Sequence, residues 1–148
     1  MTFQLVLAAI PVLLVLIFVR IVPRKATVVD GDTIKVRGVA WRLSGFDAPE
    51  WNQPGGRAAT AALRRIVRRE FAIAILRKRD HYGRPLATII TLRGPLSWRM
   101  SARGHGWGEG IVGKFLTGWA WTFRRGLWRQ RGRNPVVHPR EWRSGLRP

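Results

Sequence analysis

The 148-residue chain has no cysteine, which excludes disulfides, thiolate metal sites and cysteine nucleophiles. Acids are scarce: 8 Asp+Glu stand against 27 Lys+Arg, for a formal net charge of +19. Lysine and tyrosine are short as well, with 4 Lys against 23 Arg and a single Tyr. Such an imbalance implies a polyanionic partner, either nucleic acid or an anionic membrane surface. The arginine bias gives planar, forked donors that suit phosphate, although a GC-rich genome produces the same bias.

Charge is also absent from one long run. Residues 2–19, "TFQLVLAAIPVLLVLIFV", form 18 consecutive uncharged residues, near the length needed to cross a bilayer. No Lys or Arg precedes the run and no small-residue cleavage site ends it, so a retained anchor over 1–20 is expected rather than a signal peptide, with secretion after cleavage as the alternative. Arg20, Arg24 and Lys25 follow it, placing the body on the cytoplasmic side by the positive-inside rule. A basic linker covers 21–25, a folded domain 26–130, and an Arg/Pro-rich tail 131–148.

Within the domain, residues 25–32, 33–39 and 40–46 read as short strands rich in Val, Ile, Thr and Trp, joined by glycine-containing turns. Residues 47–56, with two prolines and two glycines, read as a loop. Over 57–70, Ala59, Ala62, Leu63, Ile66 and Val67 keep a helical period while five arginines fill the other face. Two more strands (71–78 and 85–93), a helix ending at Gly104 and a third helix over 115–126 complete the pattern. Tight turns imply antiparallel pairing. The expected fold is therefore α+β, mainly β: a five-stranded antiparallel OB-type barrel with three helices, preceded by one transmembrane helix.

Five of the eight acids fall in loops or strand ends beside this barrel: Asp30, Asp32, Asp47, Glu50 and Asp80. Asp32 shares strand parity with Ile34 and Val36, so its carboxylate points to the apolar side, where an unpaired charge is costly unless a cation meets it. Asp47 and Glu50 lie three apart around Pro49. Oxygen-only ligands of this kind suit a hard cation. The alternative is that Asp30-Gly31 makes a hairpin turn and Asp47 caps a loop. Arg42 and Arg84, if they flank the same pocket, would clamp phosphodiester oxygens.

In order and spacing, "VVDGDTIKV", "WRLSGFDAPE", "GGRAATAALRRIV", "DHYGRPLATI", "LSWRMSARGHGW" and "RRGLW" resemble the staphylococcal nuclease-like (thermonuclease) family over about residues 26–128. The resemblance implies a monomeric Ca²⁺-dependent endonuclease acting on DNA and RNA and leaving 3′-phosphates. It gives Asp32, Asp47 and the Ala48 carbonyl the role of Ca²⁺ ligands, and Glu50 that of general base. Arg42 and Arg84 become the phosphate clamps, Tyr82 and His81 substrate contacts, and Asp30 the support of the turn. Ala48 stands where the best-known member has Thr, and His81 where a basic residue is common. Trp107 or Phe115 are the candidates to stack on a base, since tyrosines common in the family after the second helix are missing.

Six of the eight tryptophans lie from residue 98 onward, where packing, base stacking and membrane-interface roles all remain open. "RRIVRR" reads as a solvated helix face or, with tail arginines, a phosphate-tracking surface. The competing functional class is a non-catalytic nucleic-acid-binding module tethered to the membrane.

Overall fold

The computed structural model describes residues 19–123 and 138–145. Alternating apolar residues build a hairpin of β3 (Thr33–Val36) and β4 (Val39–Leu43), turned by Arg37 and Gly38 at φ of 49° and 84°. Glycine suits that turn, whereas Arg37 adopts the left-handed conformation at some cost. Strand β2 (Thr27–Val28) adds antiparallel to β3. A longer hairpin joins β6 (Ala72–Arg79) to β7 (Pro85–Thr91), with a register shift between Leu76 and Arg79. Strand β1 (Val19–Val22) pairs with the outer edge of β6, and β8 (Gly94–Pro95) returns onto β7. The two hairpins meet where β4 runs parallel to β7, with Arg42 beside Leu86 and Leu43 beside Ala87. The sheet order is β1-β6-β7-β4-β3-β2, while β5 (Phe46–Asp47) and β9 (Trp107–Gly108) form a separate two-stranded sheet.

Among the described residues four helices accompany the sheets: α1 (Gly56–Arg69), α2 (Leu96–Ala102), α3 (Gly110–Phe123) and α4 (Pro139–Arg143). The buried face of α1 is the periodic one, Ala59, Leu63, Ile66 and Val67, with Thr60. It closes the core over Ile34, Leu43, Phe46, Leu96 and Met100, each at most 2 % exposed. Burying each of the larger side chains contributes roughly 2 kcal/mol. Helix α1 stops at Glu70, whose backbone is extended. The Glu70 carboxylate accepts two hydrogen bonds from Arg99, at 2.6 and 2.8 Å, and Arg99 also donates to Thr91 Oγ1 at 2.7 Å. This fork ties the end of α1 to β7 and α2.

The expected five-stranded antiparallel barrel is not the fold. Among the described residues the main sheet has seven strands, contains a parallel pair, and is open, with β1 and β2 as separate edges. The physical reason is the long crossover from β4 through α1 and β6, which returns β7 in the direction of β4. An inventory of tight turns cannot reveal that pairing. Strand β1 uses residues assigned by the sequence to the anchor and linker; its Val-Arg-Ile-Val run satisfies backbone groups along the edge of β6. Among the described residues no helix is long and apolar enough to cross a membrane, and the rest of the expected anchor, residues 1–18, lies outside them. The third helix begins at Gly110, five residues earlier than expected, and the tail contains α4.

Candidate active site

The stretch Asp30-Gly31-Asp32 connects β2 to β3. Val29 N donates to Thr33 O at 2.9 Å across the loop, and Asp32 N donates to Asp30 Oδ1 at 3.1 Å, so Asp30 supports the turn through its side chain. Gly31 is not among the residues of positive φ. Its glycine identity comes from packing: a Cβ there would lie 2.6 Å from Ala48 Cβ and 2.7 Å from Ala59 Cβ. The turn is thereby pressed between the Asp47–Glu50 loop and α1. Asp32 emerges from it buried with Ile34 and Val36.

Asp32 and Asp47, each 4 % exposed, share one guanidinium. Arg42 Nη1 lies 3.0 Å from Asp32 and Nη2 lies 2.6 Å from Asp47 Oδ1. Asp32 also accepts from Thr33 Oγ1 at 2.8 Å and from Ala48 N at 3.2 Å. Burial pushes the Asp32 carboxyl up to about 7, although Arg42 and these hydrogen bonds favour its charged form. Burial also works against the charge of Arg42, but Asp32 and Asp47 outweigh it and hold the guanidinium above its ordinary value.

Glu50 is positioned by its own loop. Glu50 N donates to Gln53 Oε1 at 3.1 Å, and Gln53 N donates back to Glu50 O at 2.9 Å, with Gln53 only 3 % exposed. The first residue of α1, Gly56, sits against this carbonyl so closely that a Cβ would be 1.8 Å from Glu50 O. The Glu50 side chain accepts from Arg143 Nη1 at 2.5 Å, and Arg143 Nη2 reaches Asp47 Oδ2 at 3.4 Å. Across the cleft, the turn between β6 and β7 is organised by Asp80. It accepts from the backbone N–H of Tyr82 and of Arg84, both at 2.9 Å, and from Arg84 Nε at 2.8 Å. Slight burial opposes the Asp80 charge, but these bonds from Arg84 and Tyr82 hold its carboxyl below the usual range. Among the described residues the terminal nitrogens of Arg84 donate to no other group, and its guanidinium lies 5.2 Å from the Tyr82 ring centroid.

These side chains face one cleft of about 440 Å³, lined by Asp30, Asp32, Arg42, Ala48, Glu50, Tyr82 and Arg84, and by Trp142 and Arg143 from α4. Asp47 and His81 line an adjoining cavity of about 420 Å³ that shares Arg42, Tyr82, Arg84 and Arg143 with the first. His81 packs on Tyr82 with ring centroids 3.8 Å apart. The stacking candidates lie elsewhere: Phe115 is 70 % exposed on α3, and Trp107 packs against His138 at 4.9 Å. Sequence reasoning gave no site role to Asp80, Trp142 or Arg143. Asp80 was open to detection as the acid four residues before Arg84. The signal for α4 was His138-Pro139, a cap followed by proline at the first helical position, which the surrounding arginines obscured.

No protein-family model matches the chain, and no curated protein matches it at a significant level. Residues and geometry therefore carry the functional argument.

Among the described residues no group of three or more His, Asp or Glu is gathered as a ready metal cage. The donor set nevertheless fits a hard cation. Asp32, Asp47 and Glu50 are three carboxylates against the two guanidiniums of Arg42 and Arg143, the Ala48 carbonyl is beside them in sequence, and remaining positions would fall to water and a bound phosphate.

Proposed function

We propose that the chain hydrolyses phosphodiester bonds in DNA and RNA with Ca²⁺, leaving 3′-phosphates. The observation that carries this reading is the single cleft where Asp32, Glu50, Arg42 and Arg84 converge. Bound at Asp32 and Asp47, Ca²⁺ would supply charge neutralisation at the phosphate. Arg84 offers its terminal nitrogens to the phosphoryl oxygens while Asp80 holds the other side of the guanidinium. Arg42, fixed by two carboxylates, contributes a cation that needs no reorganisation when charge develops. Glu50, held at its backbone by Gln53, accepts the proton of the attacking water once Arg143 yields its oxygen.

The test is digestion of plasmid DNA and of RNA by the full chain with Ca²⁺ or with EDTA. Cleavage should require Ca²⁺ and fall at least a hundredfold in Glu50→Gln and in Arg84→Ala, since a positioned general base and a stabilising donor each contribute about 10²-fold or more. Variants that digest as fast as the parent would refute the mechanism. One observation favours a second reading, a module that grips nucleic acid without cleaving it: Asp32, Asp47 and Glu50 are all already engaged by arginine. Salt-sensitive binding with no cleavage under any divalent cation would select that reading.

A further inference from the structure

Helix α1 turns Arg57, Arg64, Arg65, Arg68 and Arg69 to solvent. No acid occurs between Glu50 and Glu70, and among the described residues none of these five arginines forms an ion pair. Arg64 and Arg68, like Arg65 and Arg69, are like charges one helical turn apart, a spacing that weakens a helix. Arg68 and Arg69 suit the C-terminal turn of α1, but Arg57, Arg64 and Arg65 have no such role. The stripe is also continuous with the cleft, because Gly56 packs on the Glu50 carbonyl and Arg57 follows immediately. Trp51, between cleft residues Glu50 and Asn52, is 52 % exposed, and the Arg57 guanidinium lies 5.2 Å from its ring centroid.

An exposed ring beside a row of cations is the combination that holds an unpaired base and its phosphates. We propose that Trp51 and the α1 arginines form an exosite for single-stranded nucleic acid, with a base stacked on Trp51 and the backbone running outward along α1. From Arg57 to Arg69 the stripe spans roughly 18 Å, room for a few nucleotides beyond the cleft. The proposal rests on the phosphodiester reading for its direction, but binding can be measured without cleavage.

The experiment measures fluorescence anisotropy of a labelled 20-nucleotide single strand, its duplex and a 4-nucleotide strand with the full chain in EDTA, across a salt series. The probes are the quadruple Arg64/Arg65/Arg68/Arg69→Gln variant, the matching →Lys variant and Trp51→Ala. The parent should bind the 20-nucleotide single strand more tightly than the duplex or the short strand. The Gln variant should lose about 3 from the slope of log affinity against log salt, at about 0.7 per phosphate contact. The Lys variant should keep that slope, which separates lost charge from lost folding. Trp51→Ala should weaken single-strand binding about tenfold and leave the slope unchanged. Parent-like slope and affinity in the Gln variant would overturn the proposal. So would a Gln variant that loses binding to phosphatidylserine vesicles but keeps the oligonucleotide, which would assign the stripe to membrane. Binding as expected without any cleavage in Ca²⁺ would leave the exosite standing and remove the hydrolytic reading instead.

Discussion

A methyl group at position 31 has no space: Ala48 and Ala59 already occupy both sides of the Asp30–Asp32 turn. Gly31→Ala should cost about 1–3 kcal/mol in thermal or denaturant unfolding, because two backbone segments must part to admit it. A parent-like midpoint would show that the turn is not clamped as described. On the opposite wall, Asp80 fixes Arg84 through Nε and also holds the turn. Asp80→Asn should reduce kcat/KM about tenfold in the digestion assay, mainly through kcat, and the double variant with Arg84→Ala should fall no further than Arg84→Ala alone. Additive losses would mean that Asp80 acts independently of Arg84. At this scale the sequence was informative where chemistry is scarce. Eight acids in a chain of this charge made Asp32, Asp47 and Glu50 conspicuous, and strand parity placed Asp32 with Ile34 and Val36. The cause of Gly31 was not legible, because it depends on two alanines distant in sequence.

Periodicity made α1 the most readable element, and its boundaries differ from the expected 57–70 by one residue at each end. Elements without a period were invisible: β5, β8 and β9 have two residues each, and the start of α3 is masked by Gly110 and Gly113. Gly113 is fixed by contact, since a Cβ on it would lie 2.7 Å from the Gly108 backbone. Two element contacts lend themselves to test. Arg99 joins α1, β7 and α2 through Glu70 and Thr91. The hydrogen bonds from Arg99 hold the Glu70 carboxyl below its ordinary value of 4.5, so this contribution is present above pH 4.5 and is lost as the pH falls further. Arg99→Ala should cost about 2 kcal/mol at neutral pH by leaving Glu70 and Thr91 partly buried without their donor, and progressively less as the pH falls below 4.5. A cost independent of pH would assign Arg99 to packing alone. Helix α4 makes the second contact, where Arg143 holds Glu50 and Asp47. Arg143→Ala should tighten Ca²⁺ binding about fivefold by calorimetry, because a half-exposed cation opposing a divalent ion is worth up to about 1 kcal/mol. Unchanged or weaker affinity would show that Arg143 is no competitor for the cation.

For the whole molecule, topology was the least legible level. Strand composition indicates how many extended segments exist but not which are neighbours, and the parallel β4–β7 pair depends on a crossover that includes a helix and another strand. Residues assigned to the anchor and linker complete one edge of the sheet, because an edge pairs with whatever extended chain lies beside it. Charge, by contrast, acts on the whole chain and is predictable from composition: at +19, a buried basic group with no carboxylate beside it, unlike Arg42, is doubly disfavoured as a cation. His105 is that case. Burial, then Arg103 and Arg65 nearby, push its imidazole down to about 4 from an ordinary 6.5. The folded chain therefore holds His105 neutral where the unfolded chain protonates it. This contribution is fully present above pH 6.5, declines as the pH falls toward 4, and is flat below. The decline is at most about 1.4 kcal/mol per pH unit, or about 2 kcal/mol over the interval once partial solvent access is allowed for. His105→Gln, neutral at every pH, removes the term while other groups titrate as before. Denaturant unfolding of both proteins from pH 4 to 7.5 should then show the variant gaining on the parent as the pH falls. A parent-minus-variant difference constant across that range would mean that His105 is protonated equally in both states, and that neither burial nor the field of Arg103 and Arg65 disfavours its charge.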